Sequence, residues 1–352
     1  MRALLLLAAL AATAHSQWQL QPAPTTADLR GIDNVGNGIA RASGTNGTIL
    51  RTTDSGTHWQ LCTIPPNAAH LDFRGIQAFD ANTAIAMSSG PGDLSRLYKT
   101  TDACQSWTLV FTNPDKDGFW DAVTVNSKLP GNTPATTGIR GDILGDPVRG
   151  KFALFEYSAG LDLAIGMLTI KVPPRIHRWT KRPRARPDES AFAASNSALF
   201  RGACYRWIAT GGMSGAHIIK HDFHVTDLDL DVNKFTSTEI PVGNKTATSG
   251  AFSLVFSPKQ NTQDNSKCET TAVVVGGDYQ APESPLSTAA FTTDGGQHWQ
   301  PATTQPHGFR SAVAYDAPTR TWITVGPNGK SARTCRRWRR SSCVLFMACS
   351  PH

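Results

Sequence analysis

The sequence predicts an all-β fold, a β-propeller of six to seven blades, and three observations point there. First, three stretches end in almost the same eight residues: TTDSGTHW (52–59), TTDACQSW (100–107) and TTDGGQHW (292–299). Second, their aspartates, Asp54, Asp102 and Asp294, stand 48 and then 192 residues apart, and 192 is four times 48. A self-similar unit of about 40–50 residues marks a propeller or a solenoid. Third, between the boxes, short apolar strands alternate with strands that end in glycine-rich turns, as the four-stranded blade of a propeller requires.

Each box reads as a hairpin turn. The Thr and Asp side chains hydrogen-bond nearby backbone groups, and glycine supplies a positive φ. Thr52, Asp54 and Gly56 play these parts in the first box, and Thr292, Asp294 and Gly296 in the third. The second has Thr100 and Asp102, with Cys104 in place of glycine. Trp59, Trp107 and Trp299 then bring a large ring to bury as the chain re-enters a strand. The runs before the boxes, such as TILRT (48–52) and RLYKT (96–100), are strand-like. These residues are assigned structural roles.

Six strand starts follow one another: LRGIDNV (29–35), FRGIQAF (73–79), GFWDAVTV (118–125), SAFAASNS (190–197), GAFSLVF (250–256) and GFRSAVAY (308–315). Strands ending in glycine turns answer them, including AIAMSSG (84–90), WIATGG (207–212) and VVVGGD (273–278). Three regions break the rhythm. After residue 156 a box is expected and a basic, Pro-rich stretch follows; residues 217–242 read as a strand pair without a proper box. From Ser331 to Trp338 the box spacing persists, but Arg333 replaces Asp and Cys335 replaces Gly. Decay of the repeat and a reading-frame error both explain the first and last breaks, and poor packing is expected there.

Composition agrees with a strand-and-turn protein: 30 glycines, 22 prolines and 40% hydrophobic residues in a chain of 352. Arg2 followed by the apolar run Ala3–Ala12 and small residues resembles a secretory signal over 1–16, so a secreted or periplasmic protein is expected. No later stretch has the apolar length of a membrane span. The net charge of +7 is concentrated in residues 171–187, with seven Lys/Arg, and 330–352, with six. Without those 13 basic residues, 21 remain against 27 acidic ones, a net of −6. Neither patch interleaves aromatics for base stacking, so no nucleic-acid partner is expected. The domain plan is a signal (1–16), a propeller (17–329) with a loop insertion (171–187), and a divergent basic tail (330–352). Of seven cysteines, Cys62 and Cys104 stand at related places and, in an exported protein, are paired as a staple between adjacent blades.

With FRGIQAF, DGFWDAV, ILGDPV, AFAASNSALF, VVVGGDY and GFRSAVAY beside the boxes, the chain resembles exported bacterial BNR/Asp-box propellers similar to the photosystem II stability/assembly factor group. The resemblance spans about residues 25–155 and 188–330 and implies a seven-bladed, extracytoplasmic binding scaffold. The box alone also occurs in sialidases and sortilin-type receptors. The chain departs from the pattern where another box and a closing strand are expected at its end.

The candidate site follows from the repeat. Arg30, Arg74 and Arg310 fall at matching positions on strands nearest the axis, where they would form a positive ring able to grip a carboxylate, a phosphate or an acidic peptide. Trp120 and Asp121, at the same repeat position, add a stacking surface and a counter-charge; Asp146 and Asp278 follow exposed glycine turns. Ordinary Arg–Asp pairs holding blades together explain the same residues. A non-enzymatic binding or assembly scaffold for a protein or anionic ligand is the primary expectation, as a monomer. The alternative is a sialidase-type glycoside hydrolase, for which Tyr279 and Tyr315 are the better-placed nucleophiles, each without an evident Glu partner. No catalytic residue is assigned. No dinucleotide fingerprint or clustered ligand set is present, so no cofactor and no metal are expected.

Overall fold

The computed structural model describes residues 21–126, 140–158, 161–165, 168–172, 175–202, 204–222, 234–258, 268–327, 331–332 and 346–347. The expected signal segment, 1–16, lies outside these residues. Within them the chain is a β-propeller with one 3₁₀ turn, Gly92–Leu94, and no α-helix.

Five sheets are four-stranded blades. The first begins with Leu29–Gly36, the second with Asp72–Ala78, the third with Trp120–Asn126, the fourth with Leu199–Arg201 and the last with Ala312–Asp316. This corrects the expected six to seven. The expected fourth start, SAFAASNS, forms no regular strand beyond Ser190, and the fourth blade opens at Leu199 instead. Glu189–Ser190 and Gly211–Gly212 join Ser249–Phe256 and the strands that follow it, giving one six-stranded sheet between the fourth and the last blades. Every pairing within the sheets is antiparallel, as short hairpin connections demand.

The core lies between successive sheets, and strand alternation decides which neighbour each residue meets. In the second blade, Ala84 and Ala86 face back to Ile49, Leu71 and Tyr98, while Ile85 and Met87 face forward to Trp120, Ile143 and Phe155. In the six-stranded sheet, Val274 packs with Trp207 and Ile218, whereas Val273 and Val275 pack with Val313 and Trp322. These strands are therefore covered on both faces and read as nearly continuous apolar runs.

The segments expected to pack poorly are partly integrated. Arg175–Arg178, within the predicted loop insertion, is the outer strand of the third blade, paired with Lys151–Ser158. Trp179 beyond it meets the His221 and Phe235 rings and lies 4.3 Å from the Arg206 guanidinium. Arg178 binds Asp115 at 2.6 Å, so part of the basic patch is compensated within the fold. A separate hairpin, Leu161–Ile165 with Leu168–Val172, precedes it. Residues 217–222 and 235–239 pair in the fourth blade. Of the basic tail, only Ser331–Ala332 and Phe346–Met347 lie among the described residues, where they pair as outer strands of the last blade.

The three octapeptides adopt one hydrogen-bonded turn. In each, the Thr hydroxyl donates to the Asp Oδ1 at 2.8 Å and accepts from the backbone N–H four residues on, at 3.0–3.1 Å. Two consecutive residues take left-handed backbone: Ser55 and Gly56, Ala103 and Cys104, Gly295 and Gly296. Trp107 is buried between the first two blades, and Trp299 packs on the cluster around Trp207. Cys104, holding φ +67 where the other boxes have glycine, is disulfide-bonded to Cys62. A second disulfide, Cys204–Cys268, joins the turn before Tyr205 to the segment entering Ala272–Asp278.

Candidate functional site: an axial cavity built from bulges

Where the inner strands converge there is a cavity of about 790 Å³. Leu29–Ile32 of the first blade and Val325 and Pro327 of the last line it together, so the two ends of the ring meet there.

Its side chains are delivered by one device. Arg30 is skipped in the pairing of Leu29–Gly36 with its neighbour, and Arg74 is skipped likewise between Phe73 and Gly75. Asp121 is skipped between Trp120 and Ala122, Asp146 between Gly145 and Pro147, and Phe252 between Ala251 and Ser253. All five bulged residues line the cavity. A bulge leaves one residue unpaired and bends the strand, which re-aims its side chain. The local sequence permits this: a Cβ on Gly75 would stand 2.9 Å from Asn196 Oδ1 and from a Val123 methyl, so glycine lets the bulged strand press against its neighbour.

The arginines are not a free positive ring. Arg74 Nε donates to Asp72 Oδ2 at 2.7 Å and its Nη1 to the Ala193 carbonyl at 2.9 Å. Arg30 lies 4.0 Å from Asp72 and 3.6 Å from Asp28. Opposite them stand two acids. Asp121 is 1% exposed, and its Oδ2 has no hydrogen-bond partner among the described residues. Burial, then the nearby Asp146 carboxylate, push its pKa well above the usual range, with Arg74 pulling the other way. Asp146 accepts from the Ala191 N–H at 3.1 Å, yet burial raises it to about 6. Most of the remaining wall is apolar, with Ser195 and Ser311 supplying aliphatic hydroxyls. Phe192 stacks on Phe252 with ring centroids 3.9 Å apart, and Phe309 and Tyr279 meet Phe252 edge-on.

Three of the predicted site residues are elsewhere. Trp120 is fully buried between the second and third blades against Phe111 and Phe155, because the bulge that turns Asp121 inward sends its neighbour the other way. Arg310 is also fully buried, donating to the Phe309 carbonyl at 2.9 Å. In 308–315 no glycine follows the arginine, and the regular strand begins only at Ala312. Asp278 is a latch: its carboxylate accepts from Thr248, Thr246 and the Gln280 N–H, and does not line the cavity. Of the tyrosines weighed as nucleophiles, Tyr279 lines the cavity, whereas Tyr315 packs on Trp322.

Residues 191–197 were missed as a functional element. This irregular segment crosses the axis. Ser195 donates to the Ser311 carbonyl at 2.7 Å, Asn196 accepts from the Val123 N–H at 2.7 Å, and Ser197 shares a 2.6 Å bond with Ser253. Its run of small and polar residues, AASNS, was the available signal.

No family model and no curated protein matches the chain. Among solved structures, the chain is similar to YCF48. The structure of YCF48 bound to a D1 peptide is 14% identical and has a TM-score of 0.38, with 93% of this chain and 95% of that one covered. YCF48 from Cyanidioschyzon merolae is 14% identical with a TM-score of 0.40, covering 94% of this chain and 96% of that one. An ancestral GH74 enzyme is 10% identical, with a TM-score of 0.30 over 88% of this chain and 53% of the enzyme. The chain thus spans about half of that enzyme's length.

Proposed function

We propose that this chain is a non-enzymatic, extracytoplasmic binding or assembly scaffold whose axial cavity holds a segment of a protein partner. The observation that carries the reading is the amphipathic wall: a stacked aromatic floor and four charged bulge residues around about 790 Å³, a volume suited to a ligand. Leu29, Ile32, Tyr279 and Val325, which line it, are 45–68% exposed. Apolar side chains gathered at a concave mouth favour an interaction site. Two disulfides favour an oxidising compartment. Arg74, backed by Asp72, offers a partner's carboxylate a charge-assisted bond.

The sialidase-type alternative needs three arginines on one carboxylate and a Tyr–Glu pair. Arg310 is sealed away, and among the described residues no glutamate lines the cavity. Screening purified protein against a short-peptide library, with fluorogenic sialosides assayed in parallel, tests the reading. Peptides bound by the wild type and at least about tenfold more weakly by Arg74→Ala and Arg30→Ala are expected. Glycoside turnover lost in Arg74→Ala would overturn the scaffold.

A further inference from the structure

The cavity wall carries two cations and two acids, and they are not equally satisfied. Arg30, Arg74, Asp121 and Asp146 line it, and Asp72, outside the lining, binds Arg74 at 2.7 Å and lies 4.0 Å from Arg30. Arg74 shares its charge with Asp72 through its Nε, so its guanidinium compensates the two acids of the wall only in part. Asp121 and Asp146 are delivered side by side by bulges on neighbouring strands of the third blade; Arg74 is the cation that acts on Asp121, and Asp121 Oδ2 is without a partner among the described residues. A buried carboxylate in that position needs a proton or a cation.

We infer that Asp121 and Asp146 form a subsite for an organic cation, the ammonium or guanidinium group of a guest whose hydrocarbon stem lies on the Phe192–Phe252 stack. This rests on the scaffold reading above and names what the guest carries. An organic cation is preferred to a metal ion by the surroundings. No group of three or more His, Cys, Asp or Glu able to hold a metal occurs among the described residues, and hard cations take six or more oxygens or keep their water. Aromatic faces instead suit a cation on an apolar stem. Without a cation, a proton fills the role: burial pushes Asp146 up to about 6, and burial together with the Asp146 charge holds Asp121 well above the usual carboxylate range. Seating an ammonium therefore releases a proton to solvent, and the two compete. Arg74 on the second blade and Asp146 face Asp121; Asp72 and Arg30 stand behind Arg74.

The test uses 4-phenylbutylamine, with 4-phenylbutanol as the uncharged control, in calorimetry on the full chain. The amine should bind at least about tenfold more tightly than the alcohol at about pH 7. Its affinity should fall about tenfold per unit as the pH drops below the titration of the pair. Heats in two buffers of different ionisation enthalpy should report proton release. Asp146→Asn, which keeps the oxygen that accepts from Ala191, should remove both the preference and the release. Asp121→Asn should do the same, and circular dichroism checks that each variant is folded. Equal binding of amine and alcohol, affinity independent of pH, or displacement of the amine by calcium would overturn the inference. The scaffold reading fails separately, if the amine binds but no peptide does.

Discussion

Asp54 and Asp121 are the same side chain in two regions of one fold, and their acidities are driven apart. At the rim, the backbone N–H and ring of His58 and the hydroxyl of Thr52 all favour the carboxylate of Asp54, which sits at about 2. Asp102 reaches about 2 by the same route, with Ser106 as the main donor. At the axis, burial dominates and a second acid stands alongside, so Asp121 is driven upward. What separates them is hydrogen-bond satisfaction. The rim turn supplies every acceptor with a donor and is finished as a structure. The bulges at the axis supply none to Asp121 Oδ2, which leaves it for something the fold does not contain.

The rim half of this contrast is broken hardest through its disulfide. Cys62→Ala with Cys104→Ala opens a cross-link over a sequence separation of 42 residues, for which chain entropy gives about 4 kcal/mol. Cys62→Ala with Cys104→Gly should recover about 1 kcal/mol of that, because glycine tolerates the left-handed backbone at position 104. Urea melts of the two double variants measure the difference. If they coincide, the cysteine does not stand in a glycine's place.

A smaller effect separates the two glycine boxes. Gly56 and Gly296 share φ values of +86 and +77, so alanine is strained at both by about 1 kcal/mol. At 296 the new methyl would also meet the Trp207 ring at 2.7 Å, whereas at 56 its nearest neighbour is 3.5 Å away. Gly296→Ala should therefore destabilise by about 2–3 kcal/mol and Gly56→Ala by about 1, read by thermal melts. Equal losses would mean that the third box does not seal the joint with the fourth blade.

The same contrast governs what was legible in the sequence. The boxes were readable because their interactions are local: Thr, Asp and Gly act within four residues. The arginines were readable as a repeat position, since Arg30-Gly31-Ile32 and Arg74-Gly75-Ile76 carry the glycine that a bulge against a neighbouring strand needs. Arg310 shared the alignment but not that glycine, and it went inward. The phrase SAFAASNS reads as the fourth of the six strand starts, yet it spans the axis because its bonds to Ser311, Val123 and Ser253 lie 56 to 116 residues away. No local rule exposes such contacts, and the blade count missed for the same reason.

The least disruptive test is to titrate the fold. An acid whose pKa is lowered on folding stabilises above its unfolded value and loses that contribution as the pH falls towards the folded one. For Asp54, Asp102 and Asp294, whose folded values are about 2, stability should drop between about pH 4 and pH 2. For Asp294 the His298 and Thr292 bonds overcome a burial effect of opposite sign. The axial pair runs the other way. Its raised values mean that the folded chain holds protons more tightly, so the stabilisation is complete below about pH 4 and is lost as the pH rises through about 6. Asp146→Asn removes one of the two axial charges and should raise the melting temperature by a few degrees at about pH 7, with little change at about pH 4. Asp294→Asn should lower it at about pH 7 and lose that difference near pH 2. A single variant that shifted both limbs would show that rim and axis are not electrostatically separate, and the division drawn between a completed turn and an unsatisfied cavity would fail with it.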